Sequence, residues 1–313
     1  MRPPTATSRR HGLFAPELPA GCSGIILAVV SACFVVGLGA LAAWGLTGNP
    51  AWIREFFQIP AALLMVWLAA VELWLSSAAR LQFAPGELMR RVWSLIAISA
   101  GADLVGTVAV QILGIESRLN VLTRLPGWSK GLAADISVVG HLFGGPLRGA
   151  LLAAGLWYAV AAYHRARFLG KLRAADWLLL ALGAVFIGRN VADVVLAVRA
   201  GKVVGWVEAA NWPTDPLLWM MLGVALRLYR SVQQMGGGWI GRCWRAFSIG
   251  VFLTALGNVG LWAEIYGYLR YPWTAAVWFV WLPAAACFAL APAYQLEAIA
   301  NARAGRLTPQ ATR

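Results

Sequence analysis

The sequence predicts an all-α, polytopic membrane helix bundle with eight transmembrane helices. Three observations predict it. Hydrophobic residues fill 60% of the 313 positions and charged residues only 12%, against roughly 25% charged in a soluble domain. Apolar runs of about 20 residues, enough to cross a bilayer core, recur along the chain. The basic residues collect in the short segments between those runs, the bias that orients membrane proteins. The net charge of +13 and the pI near 10.5 therefore belong to loops. No aromatic-plus-basic recognition motif accompanies them, so nucleic acid is excluded as a partner.

Residues 1–23, with Arg2, Arg9 and Arg10, form a polar N-terminal tail. The first span covers about 24–46. An Ala40-Leu41-Ala42 triplet permits a signal-peptide reading, but the run exceeds the roughly 7–15 residues of a signal core and is taken as a membrane helix. The other spans are expected at about 59–79, 93–113, 147–163, 177–198, 217–228 (extended upstream towards Trp212), 246–266 and 273–294. The bundle thus occupies 24–294, and 295–313 is a C-terminal tail. With the N-terminus inside, the inner segments hold Arg80, Arg90 and Arg91, then Arg165, Arg167, Lys171 and Arg173, then Arg227, Arg230, Arg242 and Arg245, and finally Arg303, Arg306 and Arg313. Arg54, Arg118, Arg124, Lys130, Arg148, Arg199, Lys202 and Arg270 fall outside. This places both termini in the cytoplasm of a bacterial inner-membrane protein.

Trp93, Trp177 and Trp244 each follow a basic turn, and Trp44, Trp52, Trp206, Trp212 and Trp273 lie at the opposite ends. All are expected to be interface anchors, ring in the apolar layer and N–H among the headgroups. The long outer connection, 115–146, shows helical spacing at Ile115, Leu119 and Leu122 and again at Ile136, Val139 and Phe143. Two short helices lying on the outer membrane face are expected there.

Three stretches share one plan of apolar rod, basic turn, apolar rod: 61–113, 147–198 and 217–262. They read as an internal repeat of helical hairpins. Within them Gly101-Ala-Asp103, Gly188-Arg-Asn190 and Leu256-Gly-Asn258 fall 10, 13 and 14 residues after Trp93, Trp177 and Trp244, on similar helix faces one turn apart. The nearby glycines, Gly101, Gly106, Gly183, Gly188, Gly257 and Gly260, would let helix backbones approach.

Ionisable groups inside a bilayer cost about 3 kcal/mol each on insertion scales and face the bundle interior. Glu72, Asp103, Arg189 and Asp193 are such groups, extended by Asn190, Asn258 and Glu264. They are the candidate ligand-binding set, with interhelical packing as the alternative role. At ~1.5 Å per residue, Glu72, Asp103 and Arg189 lie roughly 12–18 Å above the basic ends of their spans, in one layer. Arg189 and Asp193 are four residues apart and neutralise each other. Glu72 and Asp103 are then left without an obvious cationic partner. Arg90, Arg91, Arg242 and Arg245 are the candidate partner-facing basic residues, available to a membrane or cytoplasmic protein and to anionic membrane lipid.

Other chemistries lack their residues. Lys130, Lys171 and Lys202 are all in loops, so no membrane lysine offers a Schiff base. His141 and His164 sit at opposite ends of one span, and the four cysteines show no metal spacing. No nucleotide loop, zinc motif or nucleophile elbow is present. The expectation is a non-enzymatic protein with no cofactor and no metal site.

Arg245-Ala-Phe-Ser-Ile-Gly250 runs into Ala255-Leu-Gly-Asn258-Val-Gly-Leu-Trp262, followed by Pro272 and by the span from Pro283 to Tyr294. This C-terminal quarter resembles the multi-pass sensor regions that precede bacterial histidine kinase and diguanylate cyclase domains. Such regions continue into a cytoplasmic output domain, whereas this sequence ends 19 residues after Tyr294. The resemblance implies a sensor or interaction protein acting through a partner. A transporter of a small or lipophilic solute, proton-coupled through Glu72 or Asp103, is the alternative.

Overall fold

The computed structural model describes residues 21–114, 130–201, 214–234, 238–265, 268–269 and 275–303. Those residues are helical apart from short turns, with no strand among them. Helix α1 is Cys22–Thr47, closed by Gly48 in the left-handed region (φ 66°), whose N–H bonds back to the Trp44 carbonyl. A short α2, Ala51–Phe56, passes through a π-helical turn, Phe57–Ala61, into α3, Ala62–Leu81. Pro60 lies in that turn; lacking an N–H, it shifts the hydrogen-bond register and leaves the rod unbroken. Helix α4, Leu88–Val108, ends in a second π turn, Ala109–Leu113. Helix α5, Lys130–Leu142, continues through a third, Phe143–Leu147, into α6, Arg148–Arg165. Then follow α7 (Ala174–Arg199), α8 (Thr214–Gln234), α9 (Gly238–Ile265) and α10 (Ala275–Arg303).

Seven of the eight rods are long and apolar enough to cross a membrane, so the chain is an all-α polytopic bundle. The eighth, α8, carries Arg227 and Arg230 near one end and is the less apolar. Burial explains why it can be. It is wedged among α6, α7 and α9, with Leu218, Met221, Leu222, Ala225, Leu228 and Val232 all buried. A helix surrounded by helices meets little lipid and needs less hydropathy.

Helix packing closes a ring. Helix α3 packs on α4, α4 on α6, α6 on α8, α8 on α9, α9 on α10, and α10 back on α3. Helices α1 and α7 stand outside it, α1 on α10 and α7 on α8. Their apolar side chains point away from the bundle: Val35 is 68% exposed and Val185 67%, the surface expected of lipid-facing helices. Helix α1 is held to α10 by Ser23, whose backbone N–H and hydroxyl both donate to Glu297 Oε1 (3.1 and 2.8 Å). Phe34 meets Phe279 edge-on (5.8 Å between centroids) nearer its other end.

Four sequence expectations are corrected here. The first concerns residues 136–143, which do not lie across the mouth of the bundle. A Cβ on Gly114 would meet Ser137, one on Gly140 would meet Ala109 and Val110, and one on Gly106 would meet the Gly144 backbone; further along, Gly155 faces Ile96. Helices α5 and α6 are thus one rod of 36 residues running antiparallel to α4 in a single register. Gly144-Gly145-Pro146 looks like a helix end in sequence, but the π turn carries the helix through it. The companion helix at 115–122 lies outside the described residues.

The second correction concerns the middle hairpin, 147–198. Helices α6 and α7 do not form a packed pair, because α8 stands between them. The loop joining them is fastened to α8: the Gly170 N–H donates to Ser231 Oγ (2.9 Å), Arg227 Nε donates to the Gly170 carbonyl (2.8 Å), and Arg230 pairs with Asp176. Third, Trp93 and Trp244 are each 1% exposed and belong to the core rather than the interface, whereas Trp177 is 60% exposed. Fourth, the last helix runs to Arg303, and Gln295, Leu296 and Ala298 are buried in the bundle.

Candidate functional site

Three helices of the ring bring charge to its interior. Glu72 lies midway along α3 and Asp103 in the last third of α4; both are buried, at 2% and 6% exposure. Antiparallel packing sets them side by side, and the α4–α6 register brings Arg148 opposite Asp103. Arg148 Nη1 donates to Asp103 Oδ1 at 2.8 Å, and Arg148 Nη2 stands 3.5 Å from Glu72 Oε2. The Ser99 hydroxyl, one turn from Asp103, donates to the Arg148 carbonyl (3.0 Å). That contact fixes the start of α6 against α4. From the opposite side of the ring, Phe288 of α10 presents its face to the guanidinium, 4.8 Å from Cζ to the ring centroid, an arrangement that favours the cation.

Two carboxylates and one guanidinium leave one formal negative charge in a region of low dielectric. An uncompensated charge buried there is costly, and a further proton would balance it. An aromatic chain continues from the site. Phe288 meets Phe247 edge-on (5.5 Å between centroids), Phe247 meets Trp244 (6.0 Å), and Trp244 Nε1 donates to Tyr163 Oη (2.9 Å). Residues from α6, α9 and α10 thus fill the ring from the charged layer towards the end that carries Arg80, Arg90, Arg91, Arg227 and Arg242, hereafter the basic end.

The structure brings together only part of the candidate set. Glu72 and Asp103 meet through Arg148. Arg189 and Asp193 form an ion pair with each other (3.6 Å) on α7, exposed at 31% and 47%. Because α7 packs on α8, outside the ring, the structure does not bring these two together with Glu72 and Asp103. Asn190 lies on the same outlying helix. A Cβ added at Gly188 would meet nothing within 4 Å, so it is not a packing glycine. Gly106, Gly183, Gly257 and Gly260 are, each meeting a neighbouring helix. Asn258 is half-buried on α9, and the Glu264 side chain lies outside the described residues. Among the basic candidates, Arg91, Arg242 and Arg245 are exposed, with Arg242 lying over the Trp239 ring (4.3 Å). Arg90 is half-buried and donates to the Phe83 carbonyl (3.0 Å), which fastens the α3–α4 turn.

Arg148 is the residue that sequence reasoning misplaces. Expected in an outer loop, it is the missing cation of the Glu72–Asp103 pair. The signal is present: 130–165 keeps helical spacing on both sides of Pro146, and two acids without a cation call for one at the same depth. Sequence reasoning also misses Asp176. It is fully buried in the first turn of α7, bonded to Arg230 and to the Arg173 N–H (2.8 Å). Among the described residues no three His, Cys, Asp or Glu come together as a metal-holding group. In comparisons with known proteins, the chain matches no family model, no curated protein and no solved structure.

Proposed function

We propose that this chain is a bacterial inner-membrane sensor whose input is the charge state of the Glu72–Asp103–Arg148 triad. The observation that carries the reading is the enclosure of two carboxyl groups and a single guanidinium by α3, α4 and α6. Uptake of one proton as pH falls neutralises the triad, weakens the hold of Arg148 on one carboxylate and loosens the α3–α4–α6 contacts. The protein is not an enzyme in this reading. Its output is the basic end, taken as cytoplasmic with both termini on that side, where Arg91, Arg242 and Arg245 face a protein partner or anionic lipid.

The test is hydrogen–deuterium exchange of the protein in lipid nanodiscs at pH 5.5 and 8. The ends of α4 and α9 near Arg91 and Arg242 are expected to change protection with pH, and Glu72→Gln to abolish the change. An unresponsive wild-type protein overturns the reading. A second reading, proton-coupled transport of a small solute, is favoured by the position of the triad inside a closed ring of six helices. Collapse of a pH gradient across proteoliposomes, lost in Glu72→Gln, would decide for it.

A further inference from the structure

The two sides of the triad differ. On the side away from the basic end, helices touch through glycines. A Cβ on Gly106 would lie 2.5 Å from the Gly144 nitrogen and 2.8 Å from the Gly140 carbonyl oxygen, one on Gly260 would lie 2.8 Å from Val277, and one on Gly257 would overlap the Trp281 ring. Contacts this close, backbone to backbone at Gly106 and backbone to side chain at Gly257 and Gly260, leave no room for water at these points between α4 and α5 or between α9 and α10.

The basic side holds buried polar atoms. Ser76 Oγ, Arg80 Nε and Trp93 Nε1 are each enclosed and make no hydrogen bond among the described residues. Ser76 is 0% exposed and Trp93 1%. Glu72, Ser76 and Arg80 follow one another at four-residue intervals on one face of α3, each step rising about 6 Å. The α3–α4 pairing that sets Gly101 beside Leu73 and Arg90 beside Phe83 brings Trp93 to the level of Arg80. Buried polar groups are almost always satisfied, and where the protein does not satisfy them, ordered water does.

We infer that a file of water molecules connects Glu72 to the basic end of the bundle along Ser76, Trp93 and Arg80, giving the triad proton access from that end. The inference rests on the proton-binding reading of the triad. A step of about 6 Å is bridged by two waters at ordinary hydrogen-bond lengths of ~2.8 Å. A proton enters the file from bulk water and is handed along it. The terminal water gives its proton to the Glu72 carboxylate, and bulk water restores the file. Arg80, at the mouth, repels sodium or potassium, so the path selects a proton over a metal cation. The groups facing Glu72 are Asp103 of α4 and Arg148 of α6. Helix α10 has no charged residue between Ala275 and Gln295, its titratable side chains there being Cys287 and Tyr294.

Two measurements test the path. In the wild-type protein, hydroxyl-radical footprinting by water radiolysis is expected to modify Trp93 and to spare Trp244, which is equally buried but bonded to Tyr163. In a background with the native cysteines replaced, Ser76→Cys is expected to react with a small membrane-impermeant thiol reagent. Because the thiolate needs water to form, reaction from the basic side should be about tenfold faster than from the opposite side. It should also outpace Trp74→Cys, which lies on the lipid face of the same helix. An unmodified Trp93 together with an unreactive Ser76→Cys would falsify the path even if the bundle responds to pH. Labelling of both sites in a bundle that ignores pH upholds the path and overturns the sensing reading instead.

Discussion

Removing the guanidinium at the centre of the ring tests the electrostatic account most directly. In Arg148→Met the side chain keeps much of its apolar stem, while Glu72 and Asp103 lose their shared cation. At an effective dielectric of 20, a unit charge pair at 2.8 Å is worth about 6 kcal/mol and one at 3.5 Å about 5 kcal/mol, before desolvation is subtracted. Desolvating the guanidinium and both carboxylates offsets much of that sum, and breaking a buried pair from one side costs a net ~3–5 kcal/mol. Arg148→Met is therefore expected to lose about that much stability. Adding Glu72→Gln and Asp103→Asn should restore most of it, because a neutral cluster no longer needs the cation. The assay is reversible unfolding in mixed micelles, followed by the fluorescence of the 17 tryptophans. A loss below ~1 kcal/mol in the single variant, or a triple variant no more stable than it, would refute the idea that Arg148 balances the two acids.

Two further predictions use the same assay. Gly106→Ala drives a methyl group into the Gly144 backbone, which cannot move aside as a side chain can, and should cost ~1–3 kcal/mol. Gly188→Ala meets open space and should be neutral or stabilising by up to about 1 kcal/mol through helix propensity; equal effects at the two sites would contradict the packing described. Tyr163→Phe leaves the Trp244 N–H buried without its acceptor and should cost roughly 1–3 kcal/mol. If Trp244→Phe is added, no further loss of hydrogen-bond energy is expected, and a fully additive pair of losses would show that the bond contributes nothing.

The fold class was legible from composition alone, because a chain this apolar must satisfy its backbone within helices. Charge distribution gave the two ends of the bundle. Glu72 and Asp103 could be singled out as interior groups because each is an isolated acid in a long apolar run, where no bland environment exists for it. Helix ends were less legible. Gly144-Gly145-Pro146 carries every local sign of a break, and only packing against α4 shows that the helix continues. That one boundary hid Arg148 in a loop and made an ion-paired cluster look like two orphan acids. The glycine pattern misled in a similar way: Gly106 and Gly188 look alike in sequence, yet one touches a backbone and the other touches nothing.

Sequence by itself determined what does not depend on neighbours: the helical spans and the sign of each end. Tertiary structure alone decided which helices are neighbours. The repeat suggested three hairpins, but a repeat in hydropathy records each rod's need for an apolar environment and is silent on whether lipid or protein supplies it. Helix α8 takes the place between α6 and α7 because Asp176 and Gly170 hold its charged end, and so it closes the ring. Helices α1 and α7, as apolar as the rest, remain outside it.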